Sequence, residues 1–541
     1  MTNREIARTF NLLGKIMELH DENPFKTRSY TNAYNVLRKV EKPLAESTEE
    51  EISAIEGVGA AISAKIIELL ETGEMQTLRK YQDMTPLGVQ EMLHIKGFGP
   101  KKIKTIWRDL GIDNIGELLY ACNENRLVAV KGFGAKTQEN LRQQLEYFME
   151  SKGKYHYATL LTIAEDMVQK LQDAFPQDDL LLVGQLRRKM PVVDAIELLT
   201  TLSFEQLQDY DEASFTQNGE ELFYDGHPLE LITCDVEEFE SLILESTGPA
   251  SFLEDLETDT YGEESAVFES AGLPFILPEL RDMEHIIEKA RAGSIPEELI
   301  RTDDIKGIVH NHSTYSDGIH TLRQMAEYVR DSGFDYFVIS DHSKAAFYAN
   351  GLSEDRILMQ QREIDELNAE LAPFKIFKSI ECDILADGSL DYEDEVLESF
   401  DLVISSVHSN LKMDQDKAMR RLIAAIENPY THILGHPTGR LLLSREGYPI
   451  DHKTIIDACA DHNVVIELNA NPHRLDLDWE YIDYAIEKGV KIAINPDAHS
   501  KEAIHYIKYG VAAARKGGLT KENCLNTMDL ASFQDWVDSL H

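Results

Sequence analysis

The chain of 541 residues lacks both an apolar run of membrane-spanning length and an apolar segment near residues 1–6. The first absence argues against a membrane span and the second against a secretory signal. Cysteine is scarce, with five dispersed residues and no Cys-x-x-Cys spacing. This pattern excludes a disulfide framework and is typical of reduced intracellular proteins. We therefore expect a cytoplasmic protein without a membrane partner.

Basic residues are few relative to acidic ones, with 53 Lys+Arg against 96 Asp+Glu and a net charge of −43. The deficit is uneven along the chain. Residues 1–150 hold 20 bases and 22 acids, a net of −2, which leaves −41 for the remainder. Residues 201–300 hold 26 acids and 3 bases, a net of −23. A surface that binds a phosphate backbone needs Lys and Arg. The N-terminal third could therefore bind nucleic acid locally, whereas residues 201–300 could not unless metals screened their charge.

Seven apolar runs after residue 300 have the length of buried strands, and six of them end on metal-binding residue types. The titratable or amide side chains at their ends are His310, His312, His342, Glu381, His408, His436, Asn469, Asp497 and His499. His, Asp and Glu bind divalent metals when they converge. Repeated strand-then-helix units predict a parallel barrel, which places its chemistry at the C-terminal ends of the strands.

Two pairs in this array have members two positions apart in the chain: His310 with His312, and Asp497 with His499. On a strand, both members of such a pair would point to one face. A single core histidine is usually structural, but so many candidates are hard to explain by packing, because unpaired buried titratable groups are costly. The array therefore predicts a metal site, and mixed His and carboxylate ligands without Cys fit Mn, Zn or Fe.

The N-terminal third has the pattern of short amphipathic helices separated by three turns. The turns are Gly57-Val58-Gly59, Gly97-Phe98-Gly99 and Gly132-Phe133-Gly134, and Lys101 and Lys102 follow the second one. Such glycines let backbone N–H groups face a phosphate. The alternative is close helix packing with glycine at a C-cap. The turns resemble helix-hairpin-helix motifs, and their repetition favours binding to the DNA backbone.

The segment His310-x-His312-x-x-x-x-Asp317 resembles the PHP phosphoesterase family, whose first motif is HxHxxxxD. The resemblance covers residues 301–541 and implies a distorted seven-stranded barrel with three divalent metals, with Glu381, Asp497 and His310 as catalytic residues. It implies the following ligands: for the first metal His310, His312, Glu381 and Asp497; for the second Glu381 as a bridge, His408 and His436; for the third Asp317, His342 and His499.

Two arginines follow ligand motifs, Arg440 after His436 and Arg474 after Asn469. Either could hold the substrate phosphate. The alternative for each is a salt-bridged residue at the rim of the site.

Residues 1–300 resemble the bacterial and archaeal DNA polymerase X family that carries a C-terminal PHP domain. Residues 24–30 are similar to its N-terminal region, and Gly184-Gln185-Leu186-Arg187-Arg188 is similar to its Gly-Ser-x-Arg-Arg nucleotide motif, with Gln185 in place of Ser. The expected fold is multidomain: a helical N-terminal domain with helix-hairpin-helix at 1–85, a helical fingers-like region at 86–150, an α+β palm and thumb at 151–300, and the α/β barrel at 301–541. Strands are predicted at 180–183 and 230–234.

A polymerase palm needs three carboxylates to hold two metals. Aligned from Gly184, these positions fall on Ala195, Glu197 and Glu230, and alanine has no carboxylate. The neighbouring Asp194 is one residue off and would face the opposite side of a strand. The charge of −23 nearby would also repel a nucleotide triphosphate. The sequence predicts a degenerate palm, the alternative being an active palm that uses Glu197, Glu230 and a displaced Asp194.

The leading functional hypothesis is a metal-dependent phosphoesterase that trims DNA 3′ ends, a 3′–5′ exonuclease in DNA repair, with 3′-phosphatase or abasic-site activity as open variants. Gapped or 3′-ended DNA would be the substrate, and repair proteins could be further partners. Three alternatives differ in class: a repair polymerase that remains active, a DNA-end-binding scaffold, and a small-molecule phosphatase. The intact ligand positions argue against a scaffold, and the DNA-binding third argues against a small-molecule phosphatase.

Overall fold

The structure is a computed structural model that describes residues 1–40, 42–95, 98–128, 130–150, 153–256 and 260–540. The chain forms two compact units, Met1–Met149 and Glu150–His541. Within the described ranges, every helix falls short of the length and apolar character that a bilayer crossing requires.

The first unit is helical, as predicted. Its helices are α1 (Asn3–Leu19), α2 (Pro24–Leu37), α3 (Glu49–Ser53), α4 (Ala60–Thr72), α5 (Gln76–Asp83), α6 (Leu87–Met92), α7 (Pro100–Asp109), α8 (Ile115–Asn123) and α9 (Ala135–Glu150). α1 begins with a capping box between Thr2 and Glu5, which satisfies backbone N–H groups at the helix start. Its buried stripe, which includes Phe10 and Leu13, forms the core of the unit with α2.

The glycine turns lead directly into helices. Gly59 and Gly99 are the N-caps of α4 and α7, and Gly134 precedes α9. Gly57 and Gly132 have φ values of 87° and 93°, a region that favours glycine. A Cβ added to Gly59, Gly99, Gly132 or Gly134 would meet no atom within 4 Å. Close helix packing therefore does not explain these four glycines, which favours the backbone-binding interpretation.

The second unit starts with an α+β region. Its elements are β1 (Tyr155–His156), α10 (Tyr157–Ala174), β2 (Leu180–Leu182), α11 (Gly184–Arg187), β3 (Val192–Val193), β4 (Ile196–Thr200), α12 (Phe204–Tyr210), β5 (Phe215–Asn218), β6 (Glu221–Tyr224), β7 (His227–Thr233), α13 (Val236–Thr247), α14 (Ala250–Leu256), α15 (Glu264–Ser270) and α16 (Ile286–Arg291). Five strands form one sheet in the order β2-β4-β7-β6-β5. Both predicted strands are confirmed, although β7 begins earlier than expected.

The barrel follows. Its elements are β8 (Gly307–Ile308), α17 (Leu322–Asp331), β9 (Tyr336–Ile339), α18 (Glu354–Leu371), β10 (Lys375–Asp383), α19 (Asp394–Leu397), β11 (Leu402–Ser406), α20 (Gln415–Ile426), β12 (Ile433–Leu434), α21 (His452–His462), β13 (Val465–Asn469), α22 (Ile482–Glu487), β14 (Ile492–Asn495), α23 (Ile507–Lys516) and α24 (Leu530–Asp538). The seven strands are parallel and neighbour one another in chain order. A bridge between Asn311 and Ala498 brings the first and last strands together. The predicted seven-stranded barrel is confirmed.

Strand alternation divides the barrel interior into layers. On β10, Phe377, Ser379 and Glu381 share one face, so the lining changes from apolar to acidic along the strand. At the N-terminal end of the strands, Phe533 of α24 stacks on Tyr336 at 4.2 Å between ring centres and packs edge-on against Phe377. The apolar end is thus filled. The polar end, which we call the barrel mouth, is where the C-terminal strand ends meet.

Candidate metal centre

The nine predicted ligands lie together at the barrel mouth, and each side chain is at most 7% exposed. We call them the ligand cluster. Within it, candidate ligand atoms lie within 4.8 Å of one another in three overlapping groups: His312, Asp317, His342 and His499; His310, His312 and Asp497; His342, Glu381 and His408. The sequence thus identified residues that the fold brings together, although His312 and His342 each belong to two groups and not to one.

Glu381 lies at the centre of the ligand cluster. One of its carboxylate oxygens is 3.0 Å from Nε2 of both His408 and His436 and 3.3 Å from Nε2 of His310. The other oxygen is 2.8 Å from Nδ1 of His342. A single carboxylate is thus within ion-pair distance of four histidines of the ligand cluster.

One expectation about local structure is wrong: His310 and His312 do not lie on a strand, and neither do Asp497 and His499. β8 and β14 each end two residues before the first member of the pair. The backbone then turns into the left-handed region, with φ values of 64° at His310 and 51° at Asp497. His436 has φ 20°. Non-glycine residues adopt such angles at an energetic cost that is typical of functional sites.

Two carboxylates behind the ligand cluster were missed in the sequence. Nδ1–H of His310 donates to Glu467 over 2.6 Å, and Nδ1–H of His408 donates to Asp383 over 2.8 Å. With Nδ1 engaged, Nε2 of each ring presents its lone pair to the cluster. Glu467 also accepts the backbone N–H of His436 over 3.1 Å. These two acids fix the orientation of the histidines.

A signal for both carboxylates was present in the chain. Asp383 lies two residues after Glu381 on β10, so strand alternation places both on the inward face. Glu467 lies on β13, two residues before Asn469, and the same rule applies. A search for acidic residues two positions before or after each strand-end residue would have found both.

Several buried atoms of the ligand cluster have no hydrogen-bond partner among the described residues. They include Nε2 of His310, Nε2 of His342 and both carboxylate oxygens of Asp317. Leaving a buried polar atom unpaired costs about 1–3 kcal/mol, and more when it is charged. Cations among these atoms would remove that cost, so the donor set fits divalent metals.

The protonation states of His312 and Glu381 agree with this fit. Burial, together with the charges of His499 and His342, lowers the pKa of His312 to about 3, so the ring is neutral and able to coordinate. Burial opposes a charge on Glu381, but His408 and its neighbours outweigh burial and hold the pKa of this carboxyl well below its ordinary value. The centre of the cluster is therefore an ionised carboxylate.

The two phosphate candidates differ in their surroundings. Arg440 forms an ion pair with Asp478 and donates to the backbone carbonyls of Arg474 and Leu475. It occupies the salt-bridged position that the sequence left as an alternative. Arg474 is 4% exposed and lies close enough to His436 that its charge, after burial, lowers the pKa of that ring. Arg474 is the better placed of the two to meet a phosphate.

In the palm-like sheet, Asp194 and Ala195 lie in a bend between β3 and β4 and not on a strand. The bend, and not strand alternation, turns Asp194 to solvent while Ala195 is 5% exposed. Both hydrogen-bonding ends of the Gln185 amide bind Asp194, at 2.8 and 2.9 Å. The only carboxylate that could replace the missing one is therefore already bound to a neighbour and faces outward.

Glu197 closes the remaining space. Its carboxylate accepts the backbone N–H of Gln185 over 2.6 Å, and a Cβ at Gly184 would lie 1.9 Å from it. Glu230 is its register partner on β7. Burial, as the main cause, raises the pKa of Glu197. This acid fills the turn before α11.

The two arginines of the nucleotide-like motif are held by acids. Arg187 donates to Glu264 over 2.7 and 3.0 Å and to the Thr247 hydroxyl over 2.6 Å. Arg188 pairs with Asp282 over 3.2 Å. Neither guanidinium is directed at an open phosphate site, so these groups hold the palm together.

Comparisons with known proteins agree with this architecture. Family models for a helix-hairpin-helix domain and a SAM-like helix-hairpin-helix tandem match residues 1–75 and 89–146. A probable phosphatase of Thermoanaerobacter sp. (strain X514) is 28% identical over 173 residues, 30% of this chain and 68% of that protein. The probable phosphatase YcdX of Escherichia coli O81 (strain ED1a) is 29% identical over 167 residues, 30% of this chain and 59% of that protein.

Helix-hairpin-helix modules, a palm-like sheet and a PHP-type barrel together define a multidomain DNA-processing class of hydrolase. The DNA polymerase/3'-5' exonuclease PolX of Bacillus subtilis (strain 168) is 33% identical to this chain over 571 residues, 99% of each protein. The chain belongs to this polymerase X family with a C-terminal PHP domain.

Replacing Glu467 tests whether the second carboxylate layer serves metal binding. We expect Glu467→Gln to weaken divalent-metal binding about 10- to 100-fold, because glutamine holds Nδ1–H of His310 less strongly. Titration of dialysed protein with Mn²⁺ measures this. Glu427→Gln, an exposed acid after α20, is the matched control. Unchanged metal affinity together with a lower unfolding temperature would mean that Glu467 is only structural.

Proposed function

We propose that this protein is a metal-dependent phosphoesterase that shortens DNA from its 3′ end. The observation that carries the proposal is the buried ligand cluster around Glu381 at the barrel mouth. The helix-hairpin-helix modules and the relative named as a 3'-5' exonuclease support DNA as the substrate. Gapped or 3′-ended DNA in repair is the setting we propose.

The ligand assignments are part of this proposal. Three divalent ions, Mn or Zn with Fe as a further option, would be held by His310, His312, Glu381 and Asp497; by Glu381, His408 and His436; and by Asp317, His342 and His499. When bound, such ions polarise phosphoryl oxygens and stabilise charge that develops on them. The domain limits 1–85, 86–150, 151–300 and 301–541 remain proposals of the same kind.

The remaining residues of the site position groups and bind substrate. Glu467 and Asp383 hold the rings of His310 and His408 in the orientation that coordination needs. The buried guanidinium of Arg474 would bind the phosphate that enters the mouth, since a guanidinium can donate two hydrogen bonds to one phosphate.

Backbone contacts by the first unit would hold the DNA without regard to sequence. The proposed contacts are Gly57, Gly59, Gly99, Gly132, Gly134, Lys101 and Lys102, with Gly97 outside the described residues. The open space around four of these glycines allows a phosphate to approach the backbone.

We further propose that polymerase activity has been lost. Ala195 contributes no carboxylate, Glu197 fills the turn at Gly184, and Glu264 engages Arg187. Two metals and a triphosphate would each lack part of their binding site.

The main test uses a 5′-labelled DNA strand with Mn²⁺. The wild type should shorten it, and His310→Ala and Asp497→Asn should each reduce the rate by more than about 100-fold, because even a residue behind a metal ligand is worth 10- to 100-fold. Gel analysis of the labelled products measures the rate. A strand that stays intact under all metal conditions would refute the function, and trimming that survives both substitutions would refute the site.

Addition of Mg²⁺ and all four nucleotides to a primed template tests the palm. We expect no products longer than the primer. A two-metal site depends on a carboxylate at position 195, where this chain has alanine. The 3′ trimming of the same primer serves as the internal control for active enzyme. Template-directed extension would establish the alternative palm built on Glu197, Glu230 and Asp194.

Lys101 tests the DNA-binding surface. Its side chain is exposed after the Gly99 turn. We expect Lys101→Ala to weaken binding equally for unrelated sequences and to reduce the slope of log affinity against log salt by about 1. Arg79→Ala is the control, because Glu74 already pairs with that charge over 2.8 Å. A sequence-dependent loss, or an equal loss in the control, would contradict the backbone-contact role.

A further inference from the structure

The large hydrophobic side chains that are exposed in the described part of the barrel, residues 301–540, all lie between positions 319 and 359. They are Ile319, Phe347, Leu358 and Met359. Phe347 is 83% exposed. Ile319 and Phe347 follow the ligands Asp317 and His342 by two and five residues, whereas Leu358 and Met359 lie on α18. Of the four, Phe347 is the most exposed, and an exposed aromatic ring offers a flat apolar face to a ligand.

The loop that carries Phe347, residues 343–352, starts and ends on the ligand cluster. The backbone N–H of Ser343 donates to the carbonyl of Glu381 over 3.0 Å. The backbone N–H of Leu352 donates to the carbonyl of His342 over 2.9 Å. Phe347 therefore lies on a short excursion of the chain between two anchors at the metal centre.

Polar contacts anchor this loop on both sides of Phe347. The backbone N–H groups of Lys344 and Ala345 donate to the Tyr392 hydroxyl and the Asp391 carboxylate, over 3.1 and 2.6 Å. The Asn350 amide donates over 3.3 Å to the carbonyl of Ser316, the residue before ligand Asp317. The ring is thus presented to solvent on a fixed support.

The next residue links the ring to the metal centre. The Tyr348 hydroxyl is buried and lies within electrostatic reach of His408. The Tyr348 ring lies edge-on to Phe347, with 5.9 Å between ring centres. Phe347 is thus the exposed member of an aromatic pair whose other member approaches a ligand.

We propose that Phe347 is a stacking platform for the 3′-terminal base of a single DNA strand whose last phosphodiester lies in the ligand cluster. The inference rests on the proposed function and names the part of the substrate that the cluster does not touch. A flat apolar ring suits this occupant, because every base has a stacking face and an exonuclease must accept all four. A phosphate ester without a base would use the cluster but not Phe347.

Kinetics on two substrates test the platform. With Mn²⁺ and a 5′-labelled single strand, Phe347→Ala should raise KM roughly 5- to 100-fold, as expected for the loss of one stacked base. Phe347→Trp should keep the KM of the wild type, and hydrolysis of bis(p-nitrophenyl) phosphate should be equal in all variants. Tyr261→Ala, which removes a 90% exposed aromatic residue outside the barrel, is the control.

A strand with an abasic 3′-terminal residue sharpens the test, because wild type and Phe347→Ala should then have the same KM. An unchanged KM on ordinary DNA in Phe347→Ala would overturn the inference and leave the exposed ring to a protein partner. An equal loss on DNA and on the small ester would overturn it too, since the loop would then act only on the fold.

Fluorescence separates this inference from the proposed function. A 3′-terminal 2-aminopurine should be quenched on binding to Asp497→Asn, and the added change Phe347→Ala should remove the quenching. If the wild type trims DNA but quenching persists in the double variant, stacking fails and the function stands. If quenching depends on Phe347 but no strand is trimmed, the function fails and the platform stands.

Discussion

The barrel is organised around an ionised carboxylate that is buried among histidines. Removing an ion from water costs several kcal/mol even after relaxation, so Glu381 needs compensating charge on every side. His310, His342, His408 and His436 surround it, and Glu467 and Asp383 in turn orient two of these rings. The backbone is left-handed at His310 and Asp497, two of the ligands that approach this centre.

The sequence predicted the site well where metal-binding residue types recur at the ends of successive strands. Seven apolar runs predicted seven parallel strands, and their ends located eight of the nine members of the ligand cluster. The ninth, Asp317, was found only through the resemblance of the first motif to the PHP family. The sequence did not predict where the backbone departs from strand geometry. His310 and Asp497 were placed on strands, because a left-handed backbone at a non-glycine residue cannot be recognised from the residue type. Glu467 and Asp383 were missed for another reason, since acids that bind histidine and acids that bind metal look alike until their distances are known.

In the palm-like region, the arginines of the nucleotide-like motif are paired with acidic side chains of the same chain. Arg187 and Arg188 are retained, but Glu264 and Asp282 hold them, and Lys516 of the barrel helix α23 joins the second pair through Asp282. Removing one partner of such a pair would leave the other charge buried without compensation, at a cost of about 3–5 kcal/mol, so the arginines and acids depend on each other. The motif in the sequence alone could not reveal this, because the acids lie 77 and 94 positions away from their arginines in the chain.

The packing of α24 closes the N-terminal end of the barrel, so that nothing can pass through the interior from end to end. Phe533 and the rings of Tyr336 and Phe377 fill the interior beneath the ligand cluster, so the barrel is open only at its mouth. A DNA strand therefore cannot pass through the barrel. A nucleotide released at the ligand cluster would have to leave by the opening through which the strand entered. Substrate entry and product release would therefore share one opening, and the released nucleotide would have to clear it before the shortened strand could advance.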